Sequence, residues 1–312
     1  MSPMPFRLAL WPVDLSYPVE SLAAWATLVE AQARRARAEG ADLLVMPEYC
    51  SEQWLSYAPS GLPGREEIAW MAGQTPAAVA ALRGVVERTG VAILAGTMPV
   101  RAETPRSGQP PWVNRAHLLL PDGRMLRQDK LCLTPFERDP DSWNLDVGAG
   151  LELVTWRGVK IAVLVCLDVE LPALSCLLAP HQPDLVLVPS ETERLAGYHR
   201  VFNCAKARAV ELQAVVAVVG VVGAAATGKP RGGYVSGAGV YAPCEEVLGN
   251  HGVLAELPPA TGFAPPGPLL FADLPLATLN ALREGKAEVW PGAWDGGGIA
   301  VAELAGTEPT AC

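Results

Sequence analysis

Two stretches of this chain follow one rule, Asp42-Leu-Leu-Val-Met-Pro-Glu48 and Asp184-Leu-Val-Leu-Val-Pro-Ser190. Each is a short apolar run closed by a proline, with a polar residue directly after it. A run that uniformly apolar has no face to give to water, which is how a strand covered on both sides reads. The residues around the first run complete a βαβ start. A strand is expected over Phe6 to Val13 and a helix from about Pro18 to Glu39, with Leu22, Trp25, Ala26 and Val29 at helical spacing and a stop at Gly40.

The same grammar continues. A helix over Pro76 to Thr89 leads to a strand at Val91 to Leu94, then to a loop rich in Pro, Gly and Arg from Pro99 to Pro111. Strands Val113 to Leu120 and Arg124 to Gln128 flank Pro121-Asp122-Gly123, a hairpin signal because glycine tolerates the positive φ of such turns. The second half repeats strand, helix, strand, helix, strand at Val159–Val165, Pro172–Leu178, Leu185–Val188, Tyr198–Leu212 and Ala214–Val222. Strands near Val235–Tyr241, Gly252–Glu256 and Leu269–Asp273 complete the sheets, with loops at Pro258–Pro268 and Gly292–Gly298. Two α/β halves are expected. No linker divides them, so one domain spans 1–312, and 273–312 reads as a tail that packs on a partner subunit.

Composition removes several function classes. Half the residues are hydrophobic and 18% are charged, enough apolar material for a sizeable core. The net charge of −9 is scattered and no Lys/Arg stripe could neutralise a row of phosphates, so nucleic acid is not an expected partner. The longest apolar run, Ala214 to Ala226, falls short of the roughly 20 residues that span a bilayer, so no membrane association is expected. No export signal is visible, and seven widely spaced cysteines fit a reducing compartment, so a cytoplasmic location is expected. Neither C-x-x-C nor H-x-x-x-H occurs, so no metal and no cofactor are expected.

Three polar residues stand at strand ends. Cys166 closes Val159-Lys-Ile-Ala-Val-Leu-Val and precedes Leu-Asp-Val-Glu-Leu-Pro, so a strand gives way abruptly to a helix that begins near Pro172. Such a turn presents a side chain on a strained corner beside backbone N–H groups. Glu48 follows Pro47 at the rim of the first buried strand, and Lys130 stands out as a charged amine before Leu-Cys-Leu-Thr-Pro-Phe-Glu137. Taken singly, each has a plain structural reading as a buried thiol, a surface carboxylate and an edge-strand lysine. Together they are the types that amide cleavage needs: a strong nucleophile, a proton carrier and a cation for the oxyanion.

In this order and at these separations, MPE48, DK130LCLTPFE137 and VLVC166LDVELP resemble the Glu, Lys and Cys blocks of the nitrilase superfamily of carbon–nitrogen hydrolases. The likeness runs to about Gly252 and includes Arg208, Ala209 and Glu211 in an A-R-A-x-E pattern. It implies an α/β fold, a four-layer αββα sandwich with two pseudo-twofold halves, assembled as a homodimer or higher homo-oligomer. It also implies roles: Glu48 as general base, Lys130 with the Leu167 N–H as oxyanion holder, and Cys166 as the acyl-carrying nucleophile. Glu137 matches a second glutamate that positions substrate and lysine, and Asp168 the aspartate of amidase-like members, which favours a small amide over a nitrile. Tyr49, Trp54, Glu191, Thr192 and His199 are expected near the substrate because they lie close to strand ends. The competing readings are an N-carbamoyl amine hydrolase or nitrilase of the same fold, a soluble acyltransferase, a papain-like enzyme using His199 or His251, and a non-catalytic binding protein.

Overall fold

A computed structural model describes residues 6–103, 108, 110–225 and 232–290. Its first sheet contains β1 (Arg7–Leu10), β2 (Leu43–Val45), β3 (Ala92–Arg101), β4 (Trp112–Leu119), β5 (Met125–Asp129) and β12 (Leu270–Asp273), in the order β12-β1-β2-β3-β4-β5. The second contains β6 (Leu153–Trp156), β7 (Val159–Val163), β8 (Leu185–Ser190), β9 (Val215–Gly220), β10 (Ser236–Tyr241) and β11 (Val253–Ala260), in the order β11-β10-β9-β8-β7-β6. In each sheet three central strands run parallel and the remaining pairings are antiparallel. The two matched apolar runs, β2 and β8, occupy corresponding central positions.

Burial explains why those runs carry no polar position. Leu43 and Val45 belong to the core that joins the two sheets, while Leu44 and Met46 belong to the core beneath helices α1 (Leu22–Ala38) and α2 (Glu67–Thr89). On the far face of the second sheet lie α4 (Pro172–Leu178) and α5 (Leu195–Leu212), with Tyr198, Val201, Phe202, Ala205, Ala209 and Leu212 turned inward. Helices, sheet, sheet and helices make the four-layer αββα sandwich. The short α3 (Pro135–Arg138) follows β5, and α6 (Leu276–Ala281) follows β12.

Several boundaries differ from expectation. Helix α2 begins at Glu67 and carries Pro76 in its interior. A proline there removes one backbone donor, but Ile68, Met71, Ala78, Leu82 and Val85 continue one buried stripe across it, so packing overrides the break. Strand β3 runs through Pro99 to Arg101, and β11 through Pro258 and Pro259, the latter on a sheet edge where no donor is required. The β6 strand, not anticipated, is a short edge joined to β7 by Arg157 and Gly158, both at positive φ. The tail needs correction in its first part. Leu274, Leu279 and Leu282 are buried in this chain's own core, and Arg283 pairs with Asp184 at 2.7 Å, so this stretch docks on its own subunit. The Gly292–Gly298 loop and the rest of the tail lie outside the described residues.

Candidate active site

Glu48, Lys130 and Cys166 each follow the last residues of a strand, β2, β5 and β7, and these ends open on one cavity of about 400 Å³. The corners are sharp. Cys166 has φ 47° and Tyr49, next to Glu48, has φ 46°. A left-handed backbone at a non-glycine residue costs on the order of 1 kcal/mol or more, and it persists here because the buried strands on either side fix it. Gly96 on β3 makes room for the Glu48 corner: a Cβ there would collide with the Pro47 carbonyl and crowd the Cys50 sulfur.

The charged groups form one buried network. Lys130 Nζ donates to Glu48 Oε1 at 2.8 Å and to Glu137 Oε2 at 2.7 Å, and all three side chains are almost fully enclosed. Glu137 also accepts from Tyr49 OH at 2.9 Å, from the Thr134 backbone N–H and hydroxyl at 2.9 Å each, and from Asn114 Nδ2 at 3.3 Å. Thr134 and Glu137 form a reciprocal capping box that starts α3, so a local helix signal also anchors the glutamate. Asn114 Nδ2 donates to Glu48 Oε1 at 2.9 Å. The Cys166 sulfur lies 3.4 Å from the Glu191 carbonyl and receives the Ser190 hydroxyl at 3.5 Å, near enough to Glu48 for the two negative charges to oppose each other.

Unequal donor sets push the two carboxylates apart. Burial raises Glu48 to about 7, the attraction of Lys130 only partly opposing it and the charge of Glu137 adding to it. Burial acts on Glu137 in the same sense, but Lys130 and the Thr134 and Tyr49 donors overcome it and hold that carboxyl below its ordinary value. Burial works against the Lys130 charge, yet the two carboxylates outweigh it and keep the amine firmly protonated. Burial, reinforced by Glu48, holds the Cys166 thiol well above its ordinary value, so the resting sulfur keeps its proton. One carboxylate is therefore a permanent anion and the other sits where it can accept and return a proton.

Asp168 is wholly buried. Its carboxylate accepts from Cys132 N at 2.8 Å, from Leu131 N at 3.2 Å and from Val165 N at 3.1 Å. It thus clamps the residues just after Lys130 to the residue just before Cys166. Burial raises it to about 6 although these donors pull the other way. Leu167 opens the short helical turn Cys166–Glu170 and lines the cavity. Among the described residues no group of His, Cys, Asp and Glu is arranged to hold a metal ion.

The family model for carbon-nitrogen hydrolases matches residues 13–251. The chain belongs to that family. This carbon-nitrogen hydrolase is 32% identical over 146 residues to "Probable hydrolase YhcX" of Bacillus subtilis, a match spanning 47% of this chain and only 28% of that protein. It is 30% identical over 246 residues to the omega-amidase YafV of Yersinia enterocolitica, covering 78% of this chain and 81% of that one. Among solved structures it is similar to a variant of the amidase from Nesterenkonia sp. AN1 that carries the acetamide moiety of fluoroacetamide covalently on its active-site cysteine. That likeness has a TM-score of 0.64 at 25% identity and covers 89% and 94% of the two chains.

Of the residues expected near the substrate of this carbon-nitrogen hydrolase, Tyr49, Glu191 and Thr192 line the cavity. Trp54 does not; its ring lies in the helical layer, edge-on to Trp25 at 5.2 Å. Nearness to Glu48 in sequence was misleading, because the turn after Tyr49 sends Trp54 back into the core. His199 is exposed on α5 outside the cavity, and the exposed His251 accepts from Val253 N. Neither imidazole lines the cavity with Cys166, which removes the papain-like reading. Lining residues not anticipated include Phe136 and Trp143, packed edge-on at 5.2 Å, and the Arg200–Glu170 pair at 3.3 Å. No helix among the described residues is long and apolar enough to cross a membrane.

Proposed function

We propose that this chain hydrolyses the carbon–nitrogen bond of a small amide through a thioester on Cys166, with Glu48 as the proton carrier and Lys130 as the oxyanion partner. The observation that carries this reading is the buried convergence of Glu48, Lys130 and Cys166 on one cavity. The amidase names of its relatives support an amide, and the cavity volume of about 400 Å³ keeps it small. Ionised Glu48 takes the thiol proton as the sulfur attacks the carbonyl carbon. Negative charge grows on the carbonyl oxygen, which meets the Lys130 ammonium and the Leu167 N–H. Protonated Glu48 then gives its proton to the departing amine, leaving the thioester. Glu48 next draws a proton from water as the oxygen attacks the thioester, and returns it to the sulfur as the acid leaves. Tyr49, Glu191 and Thr192 contact the bound amide, and Glu137 holds Lys130 in place throughout. We assign the chain one domain, a cytoplasmic location and a homodimeric state. The six unpaired cysteines among the described residues support the location, and exposed Leu177 on α4 and Val210 on α5 the dimer.

Ammonia release from a panel of aliphatic amides, N-carbamoyl amino acids and nitriles tests the substrate class: release is expected from the amides. Release from the other classes alone would replace this reading. The pH dependence is a second expectation. Glu48 must be ionised to act, so kcat/KM should rise about tenfold per pH unit below about 7 and level off above it. A profile already flat at pH 5 would remove Glu48 as the base. A third concerns the clamp. Asp168→Asn keeps the size of the side chain but turns an NH₂ group toward backbone donors, so kcat should fall on the order of tenfold or more with KM nearly unchanged. Steady-state kinetics of the folded variant checks this, and an unchanged kcat would leave Asp168 without a positioning role.

A further inference from the structure

Asn114 lies within β4 with its side chain fully buried, where a primary amide keeps its place only through hydrogen bonds. Its Nδ2 donates to Glu48 Oε1 at 2.9 Å and to Glu137 Oε1 at 3.3 Å. Two carboxylates on one side decide which end of the amide faces them, since an oxygen there would meet two anions. Its Oδ1 is buried with no hydrogen-bond partner among the described residues. The two charge-assisted bonds on the other side of the group outweigh that cost. The backbone is tied as well: Lys130 N donates to the Asn114 carbonyl at 2.8 Å. One residue therefore contacts Lys130 through its main chain and both carboxylates through its side chain.

The bonds from Lys130 Nζ and Asn114 Nδ2 both reach Glu48 at Oε1. We propose that Asn114 is a positioning residue: by holding Oε1 it reserves Glu48 Oε2 for the proton of Cys166, and it sets the pH range over which Glu48 acts. The inference rests on Glu48 being the base of the proposed reaction. The groups facing Glu48 are Lys130 after β5, Glu137 in α3, Cys166 after β7 and the adjoining Tyr49. Among these, Lys130 attracts a negative charge on Glu48 and Glu137 opposes it. Asn114 adds a neutral donor that stabilises the ionised carboxylate without changing the charge of the site. Without it the ionised form weakens, and activity should require a higher pH.

The test compares wild type with Asn114→Leu and Asn114→Asp. The readout is the rate at which iodoacetamide alkylates Cys166, followed at the Cys166 peptide by mass spectrometry across pH 5 to 9, beside the pH dependence of amide turnover. The midpoint should move upward on the order of one pH unit in Asn114→Leu, and at least as far in Asn114→Asp, which adds a third carboxylate. Below that midpoint the rates should fall about tenfold per pH unit. A purely structural asparagine would lower the melting temperature and the active fraction while leaving the midpoint where it was. That outcome in both variants overturns the proposal, and if Asn114→Leu does not fold, Asn114→Asp decides alone. Glu48→Gln separates the two levels. A wild-type profile in Glu48→Gln refutes the base role itself, whereas a flattened one beside unchanged Asn114 variants refutes only the part given to Asn114.

Discussion

Replacing Cys166 by alanine should yield a folded protein that releases no measurable ammonia from any amide the wild type cleaves. A nucleophile that forms the covalent intermediate works as a unit with its base and its oxyanion partner, so its loss is expected to lower kcat by about 10⁴-fold or more. Stability should change little. The side chain is small, its sulfur makes only long contacts at 3.4 and 3.5 Å, and alanine inherits the same left-handed corner. Thermal melting beside the activity assay separates the outcomes. A Cys166→Ala protein that melts as the wild type does yet still turns over would end the thioester mechanism.

Lys130→Met should damage both chemistry and stability, for one electrostatic reason. The ammonium lies between Glu48 and Glu137 at 2.8 and 2.7 Å, enclosed from water. Removing it leaves the oxyanion without its cation, worth on the order of 10² to 10³ in kcat for a single lost donor. It also leaves two buried carboxylates without their counter-ion, a loss of about 3–5 kcal/mol at neutral pH. The pH dependence has a definite sign. Without the lysine the folded-state carboxyls hold their protons more tightly than in the unfolded chain. The variant's stability deficit is therefore small near the ordinary glutamate value of 4.5 and opens as pH rises through 7, where Glu48 already titrates in the intact network. Denaturation at pH 5 and pH 8 checks this. An equal deficit at both would mean that the lysine is held by packing rather than by charge.

Legibility followed physical contrast. Glu48 and Cys166 could be read because each is a polar residue at the end of an apolar strand, and Lys130 because it is a charged amine before a mostly apolar stretch. The matched runs at Leu43 and Leu185 revealed the two halves because a strand buried on both faces leaves no freedom in sequence. Asn114 was harder to see. It shares a strand face with Ala116 and Leu118, both in the core, but in sequence the segment reads only as one strand of a hairpin. Asp168 could be read as the aspartate of amidase-like members, but its clamp could not, since its partners Leu131 and Cys132 lie far back in the chain. The Arg200–Glu170 pair and the Phe136–Trp143 wall come together only through the packing of α5, α3 and the loops, which no local pattern encodes.

The most direct test of the thioester on Cys166 is peptide mass spectrometry of wild-type protein quenched in acid during turnover of an amide identified by ammonia release. The account predicts one modified peptide, the one containing Cys166, heavier by the acyl group of the amide less the thiol hydrogen. Steady ammonia release with Cys166 unmodified at every quench time, from a protein whose Cys166→Ala variant keeps pace with wild type, would contradict it.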